Sequence, residues 1–337
     1  MAAEDARTLR RGEKISGGPP ASPREPLTRT GAGPDHRGVL LPEPLRPGDR
    51  IRVVAPSGPF DRALVLRGLG WLSERYEVRF GRGLFTREGF LAGSDAERLA
   101  ELAEALADPD ARAVLAARGG YGLTRITPAL TPGQLLERPR WLVGFSDVTA
   151  LHAEAWRAGL GSLHADNLGA LGRADARRRA AFVDALERPL TPRRIAGLAV
   201  LRGGQAAGPL VGGNLTVLHA VAAAGRLALP AGAVLFLEDV AEAPYRVDRM
   251  LTSLVIGGLL DRISAVVLGD FTDCPPGRHG VPIERVLEER LGRLHVPVLA
   301  GLRAGHGAWN EPLVFGARAE VDADVGALVL GSDHGRR

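Results

Sequence analysis

Lysine is almost absent from this chain: Lys and Arg together number 43, and Lys14 is the only lysine. That one position lies in a Gly/Pro-rich leader, which removes three chemistries at once. A Walker A loop needs a lysine behind its glycines, a pyridoxal-phosphate enzyme needs one for its Schiff base, and a Ser-Lys hydrolase needs one as base. Cysteine is as scarce. Cys274 stands alone, so internal disulfides and cysteine-rich zinc sites are excluded. Its setting, Thr272-Asp273-Cys274-Pro275-Pro276, reads as a loop rather than as the surroundings of a nucleophile, and a single thiol fits a reducing cytoplasm. No apolar stretch approaches the roughly 20 residues that cross a bilayer, and no membrane partner is expected. Metal signatures are missing too. His152-Ala153-Glu154 has no Pro-Cys-x-x-Cys behind it, and no His-Glu-x-x-His occurs, so neither a metal nor a cofactor is expected. The net charge is +4 and the pI about 9.9; the arginines are spread along the chain without interleaved aromatics, which argues against a nucleic-acid partner.

What is present is the composition of a soluble globular protein, 45% hydrophobic and 24% charged, in a chain of 337 residues that has room for two domains. Residues 1–45 are rich in Gly, Pro, Arg and Ser without hydrophobic periodicity and are expected to be disordered. Arg10-Arg11 is followed by Gly12-Glu13-Lys14 and not by an apolar segment, so no export signal is read there and the expected location is the cytoplasm. Met250 is the only methionine besides Met1, and a non-Met start near Val39 would still yield a compact protein.

From Arg50 onward strands and helices alternate. Ile51–Ala55 is a short apolar run closed by Pro56-Ser57-Gly58-Pro59, followed by a helix over about 61–75 and a strand near Val78–Phe80. Ser94-Asp95-Ala96-Glu97 is a capping box ahead of an amphipathic helix with Leu99, Leu102, Ala103 and Leu106 on one face. Strands are expected at Ala113–Ala117, Leu142–Gly144 and Ser162–His164, with a helix to about Ala158 between the last two. This alternation predicts a mainly parallel sheet covered on both faces, with functional loops at the carboxyl ends of its strands. An Arg-rich helix at about 173–187 and the stretch Pro189–Pro192 look like a connection. Beyond it come strands near Leu198–Leu201, Pro209–Val211, Ala233–Leu237, Ala265–Gly269 and Pro297–Leu299, and two closing strands, Val314–Val321 and Ala327–Leu330. Helices begin at Asn214 and cover about 245–258 and 282–294. The expected organisation is a flavodoxin- or Rossmann-like parallel-sheet domain over 46–170, a linker over 171–193, a smaller swivelling-type α/β domain over 194–332, and a tail over 333–337.

Five segments have chemistry to offer. Gly144-Phe145-Ser146-Asp147 follows the apolar Trp141-Leu142-Val143 and opens a helix, the setting of a nucleophilic serine on a strand-to-helix bend, although the usual G-x-S-x-G ends in glycine. A serine there is also an ordinary helix cap. Arg118-Gly119-Gly120-Tyr121-Gly122 lets backbone N–H groups approach a ligand, as an oxyanion hole or phosphate cradle does, or is simply a tight turn. Asn214, in Val211-Gly212-Gly213-Asn214-Leu215-Thr216, caps a helix or points an amide at a substrate. Leu237-Glu238-Asp239-Val240-Ala241-Glu242 places acids directly after a buried strand, to orient a histidine or to form a charged loop. His306, between Gly305 and Gly307, is the best general-base candidate among eight histidines.

Taken together these segments resemble the LD-carboxypeptidase family of serine peptidases, which includes muramoyltetrapeptide carboxypeptidases and microcin C self-immunity peptidases. Ala55-Pro56-Ser57-Gly58, the Arg118 turn, the Ser146 turn, Gly212-Gly213-Asn214-Leu215, Leu237-Glu238-Asp239, Pro244-Tyr245-Arg246-Val247-Asp248-Arg249-Met250 and Gly305-His306 with Asn310 and Gly316 carry it, in order, from about Arg46 to Leu330. The resemblance implies a triad of Ser146, Glu238 and His306, an oxyanion hole from the N–H groups of Asp147 and Gly120, and a homodimer. A carboxypeptidase must recognise a free carboxylate, for which Arg118 is the first candidate and Asn214 a second. One departure stands out: the family usually shows His-Gly-Pro after the next strand, and this chain has His164-Ala165-Asp166. The implied activity is release of the terminal D-alanine of a murein tetrapeptide, a small peptide substrate, through an acyl-enzyme on Ser146. The rivals are hydrolysis of a peptidyl or aminoacyl adenylate toxin and, from another class, a catalytically silent two-domain ligand-binding protein.

Overall fold

The computed structural model describes residues 39–332. The leader over 1–38 and the tail over 333–337 lie outside the described residues. In chain order the first half contains β1 (Arg50–Val54), α1 (Arg62–Ser73), β2 (Glu77–Phe80), α2 (Asp95–Ala107), β3 (Ala111–Ala116), the short α3 (Leu123–Ile126) and α4 (Pro132–Leu136), β4 (Trp141–Gly144), α5 (Thr149–Ala158), β5 (Ser162–His164), α6 (Leu168–Leu171) and α7 (Ala176–Glu187). The second contains β6 (Arg193–Ala196), β7 (Ala199–Arg202), β8 (Gln205–Asn214), α8 (Leu215–Ala223), β9 (Val234–Val240), α9 (Pro244–Ile256), β10 (Ala265–Thr272), α10 (Ile283–Leu291), β11 (Val298–Ala300), β12 (Leu313–Phe315), β13 (Arg318–Asp322) and β14 (Ala327–Ser332). Among the described residues no helix is long and apolar enough to cross a membrane.

Six strands form the first sheet in the order β12-β5-β4-β3-β1-β2, all parallel except β12, which runs antiparallel to β5. Val53, Leu115, Val143 and Leu163 are buried on neighbouring strands, the continuous apolar signature of a sheet covered on both faces. The second sheet has eight strands, β6-β14-β13-β8-β9-β10-β11-β7, parallel from β8 through β11 and antiparallel towards both edges. By strand number the second sheet is therefore the larger, not the smaller.

The α2 capping box forms as its sequence requires: Glu97 N–H donates to Ser94 Oγ at 3.3 Å and Ser94 N–H to Glu97 Oε2 at 2.9 Å. Three boundaries differ from expectation. Residues 39–45 are packed rather than disordered: Leu40 N–H donates to Gly159 O at 2.8 Å, the Trp141 indole donates to Glu43 O at 3.0 Å, and Leu45 is buried. The stretch 171–193 is not a bare linker, because Phe182, Ala185 and Leu186 of α7 are buried in the core of the first sheet. The run 314–321, read as one strand, is two. Gly316, at φ +92°, turns the chain so that β12 closes the edge of the first sheet and β13 joins the second. A side chain on Gly316 would meet Val39 Cγ1 at 2.6 Å and Gly161 Cα at 3.2 Å. The two sheets are thus tied by a strand that returns to the first after the chain has built most of the second.

Candidate active site

Ser146 stands where β4 passes into α5, with φ at +67°, a left-handed value that costs a non-glycine residue about 1–3 kcal/mol and so must be imposed by its surroundings. Those surroundings are visible. Asn167 brackets the preceding residue, accepting from Phe145 N–H at 3.2 Å and donating to Phe145 O at 3.5 Å. The buried His152 donates from Nε2 to Gly144 O at 3.0 Å, which leaves Nδ1 to accept from Ser162 Oγ at 2.9 Å. Burial drives the His152 pKa down to about 4, the Gly144 carbonyl opposing, so this imidazole is neutral and structural near pH 7. Gly119 lies against the serine; a Cβ there would meet Ser146 Cβ at 2.7 Å and Oγ at 2.9 Å.

His306 comes from the other sheet. It sits in the loop between β11 and β12, and its Nδ1 donates to Oε2 of the fully buried Glu238, on β9, at 2.7 Å. Among the described residues this is the one hydrogen bond of the ring, and it leaves Nε2 free to act as a base. Burial works to lower the His306 pKa, but the hydrogen bond and charge of Glu238, with Asp239 and Asp270 behind it, outweigh burial and raise it above the ordinary histidine value. The flanking glycines allow the close approach. A Cβ on Gly305 would meet Glu238 Oε2 at 2.6 Å, and one on Gly307 would meet Asp270 Oδ2 at 2.3 Å.

The two halves meet. Ser146 and His306 line one cavity of about 610 Å3, together with Arg118, Gly119, Gly120 and Arg173. The ring of Phe145, next to the serine, stands 4.9 Å from the His306 ring, centroid to centroid. Such a site can run acyl transfer, with a hydroxyl, an imidazole held by a carboxylate, and glycine-flanked N–H groups around one space. No hydrogen bond joins Ser146 to His306, a looseness common before substrate binds.

Of the sequence candidates, Ser146, His306, Gly120 and Arg118 line this cavity, and Glu238 stands directly behind His306. Arg118 is exposed and donates through Nη1 to Pro59 O. The Asp147 carboxylate faces inward and accepts from Leu123 N–H at 2.8 Å, with burial raising its pKa. Asn214 is put to another use. Its side-chain oxygen caps α8 by accepting from Val217 N–H at 3.1 Å, its amide donates to Asp239 at 2.9 Å, and it is buried away from the cavity lining. Sequence reading passed over Asn167, His152, Asp270 and Arg173. His152 lies six residues past Ser146 in α5, within reach of the turn that carries the serine. The others carry no local pattern.

Residues 51–165 match the LD-carboxypeptidase N-terminal domain family and residues 207–321 the C-terminal domain family. A putative carboxypeptidase of Synechocystis is 39% identical over 87% of this chain and 97% of its own length. The murein tetrapeptide carboxypeptidase of Pseudomonas aeruginosa is 33% identical over 82% of this chain and 94% of its own. The crystal structure of muramoyltetrapeptide carboxypeptidase from Oxalobacter formigenes superposes with a TM-score of 0.76 at 31% identity, covering 84% of this chain and 99% of that one. The microcin C7 self-immunity protein in complex with aspartyl sulfamoyl adenosine gives a TM-score of 0.78 over 88% and 99%, but at 22% identity, a likeness of fold alone. An active-site mutant of that protein replaces a serine, an asparagine and a lysine. With both domain families matched in order and relatives above 30% identity along most of its length, this chain belongs to the LD-carboxypeptidase family of serine peptidases and is a hydrolase of that type.

Proposed function

We propose that the protein releases the terminal D-alanine of a murein tetrapeptide by hydrolysing its L,D amide bond through an acyl-enzyme on Ser146. The observation that carries this reading is that the strained Ser146 turn and His306, backed by the buried Glu238, face one cavity from two sheets. His306 Nε2 takes the Ser146 proton as Oγ attacks the scissile carbonyl, and Glu238 stabilises the imidazolium that forms. The N–H groups of Gly120 and Asp147 hold the developing oxyanion; losing one such donor typically costs about 10²–10³ in rate. The C–N bond breaks as His306 returns the proton to the amine of D-alanine. Water, deprotonated in turn by His306, then releases the peptide from Ser146. Arg118 and Arg173 are the cations beside this space and would pair with the free carboxylate.

The adenylate reading is weaker for this chain. The self-immunity mutant names a lysine among its active-site residues, and this chain has no lysine beyond Lys14.

Mass spectrometry of the purified protein with murein tetrapeptide, a D,D-dipeptide control and an adenylate analogue tests the substrate. Release of D-alanine from the tetrapeptide alone is expected, and cleavage only of the analogue would overturn the assignment. Ser146→Ala is expected to lower turnover roughly 10⁴–10⁶-fold and to abolish fluorophosphonate labelling. A labelled, active Ser146→Ala protein would sink the triad, and a wild type that neither labels nor turns over would favour a silent binder.

A further inference from the structure

The loop that carries His306 has little regular structure of its own, yet it must hold an imidazole within hydrogen-bond reach of a buried carboxylate. Its grip comes from α7 and the end of β5. The Arg178 guanidinium straddles Asp166, donating from Nε to Oδ2 and from Nη2 to Oδ1 at 2.6 Å, while its Nη1 donates to Ala308 O at 3.0 Å. Asp166 Oδ1 also accepts from Asn310 Nδ2 at 3.3 Å. The other end of that amide, Asn310 Oδ1, accepts from Gly305 N–H at 2.8 Å and from His164 Nε2 at 3.3 Å. Asp166, His164 and Asn310 are all buried. A continuous run of hydrogen bonds therefore leads from α7 through Asp166 to the backbone on both sides of His306.

We propose that Asp166 and Arg178 form a latch between the two sheets that sets the His306 loop against Glu238, making both of them positioning residues for the base. The logic lies at Gly305. Its backbone is so close to Glu238 that a single added carbon would overlap Oε2, and its N–H is fixed by Asn310. Wherever Asn310 is held, Gly305 is held, and the imidazole one residue on is aimed. The proposal rests on His306 being the catalytic base.

The latch is tested by kinetics and by proton NMR of the His306 imidazole against pH. The charged and titratable groups around that ring are Glu238 and Asp239 on β9, Asp270 on β10 and His164 on β5. In Asp166→Ala, kcat on murein tetrapeptide is expected to fall about 10–100-fold with KM little changed, the scale on which a small misplacement acts. The His306 titration, and with it the acid limb of kcat, is expected to move to lower pH as the imidazole loses part of its hold on Glu238. Because Arg178 is left beside an empty place in that variant, Asp166→Asn provides a milder cut, with the same shifts at smaller size. Adding Asn310→Ala to Asp166→Ala should cost little more than the larger single effect, as for residues acting in one chain of contacts. Arg179→Ala, on the same helix but pairing with Leu171 O and Trp71, should leave kcat and the acid limb unchanged. A folded Asp166→Ala with wild-type kcat and an unmoved His306 titration overturns the latch. So does a loss of kcat with the titration unmoved, which would mean a stabilising role only. The NMR arm needs no substrate, so a wrong substrate assignment leaves the latch testable; turnover retained by Ser146→Ala would fail the catalytic reading and not the latch.

Discussion

The serine side and the histidine side of the cavity are built in opposite ways. Ser146 is held by short-range structure: β4 leads into it, α5 leads away, and His152 and Asn167 reach back to residues 144 and 145 from within 22 positions of sequence. His306 is held by Glu238, 68 positions away, and through Asn310, which itself bonds Asp166 at a separation of 144 positions. Each side has its own buried or half-buried histidine, and the two are tuned apart. His152 lies among apolar groups and a carbonyl, and its pKa is driven down; His306 lies among carboxylates, and its pKa is driven up. The contrast teaches that the strain is stored on the nucleophile side and the electrostatics on the base side.

Among the residues that support the nucleophile and the base, the largest effect is expected on the base side. Glu238→Gln keeps the shape but removes the charge that fixes the tautomer of His306, and kcat should fall about 10⁴-fold. The sign of the pH effect follows from the raised pKa. A base must be neutral, so wild-type activity is lost as pH falls through the raised His306 value, and without Glu238 the residual activity should persist to lower pH. A kcat–pH profile whose acid limb stays in place would show that Glu238 does not set it.

A smaller effect is expected on the serine side. Asn167→Ala removes the partner of the Phe145 N–H in a buried place, at a stability cost of about 1–3 kcal/mol, and lets the Ser146 backbone relax from φ +67°. About a tenfold fall in kcat is expected on the scale of a slightly misplaced nucleophile. The acid limb should not move, since nothing about His306 has changed. Measuring the two variants side by side separates strain from charge, and an Asn167→Ala protein whose acid limb shifted would merge what the comparison keeps apart.

The same division explains what the sequence made legible. Capping and short apolar runs are legible locally. The Ser94–Glu97 box starts α2, and Ser162–His164 is β5 to the residue, because each depends on neighbours a few positions away. Ser146 and His306 stand out from their own surroundings, but their grouping with Glu238 is implied only by a resemblance spread over most of the chain, since a glycine-flanked histidine says nothing by itself about which carboxylate it faces. The split at Gly316 was hidden because the apolar Leu313–Phe315 runs into the alternating Arg318–Asp322, either of which reads as strand, and hydrophobicity does not name the sheet a strand joins. β6 was missed because Arg193–Ala196 is a polar edge strand. The Asp166–Arg178 pair had no signature at all; only the packing of α7 against the first sheet brings it beneath the loop.

The smallest effect at neutral pH, and the one that most directly opposes the two histidines, lies in acid stability. His152 has a folded pKa of about 4 against the ordinary 6.5, so the unfolded chain takes up a proton that the folded one refuses. Its contribution to stability is complete above about pH 6.5, declines as pH falls, and is lost by about pH 4, amounting to about 3 kcal/mol at 1.36 kcal/mol per pH unit. His164, fully buried between Phe145, Phe236 and Phe315, acts in the same direction. Urea melts at pH 7 and pH 4.5 should therefore differ, and His152→Gln, which keeps a donor for Gly144 O and an acceptor for Ser162, should flatten part of that difference while leaving kcat at pH 7 nearly unchanged. Activity, controlled by the raised His306, should be lost on acidification before the fold weakens much. If melts of wild type and His152→Gln show the same pH dependence, the histidine behind the serine is not the acid-sensitive element, and the two sides of the site are less different than their surroundings imply.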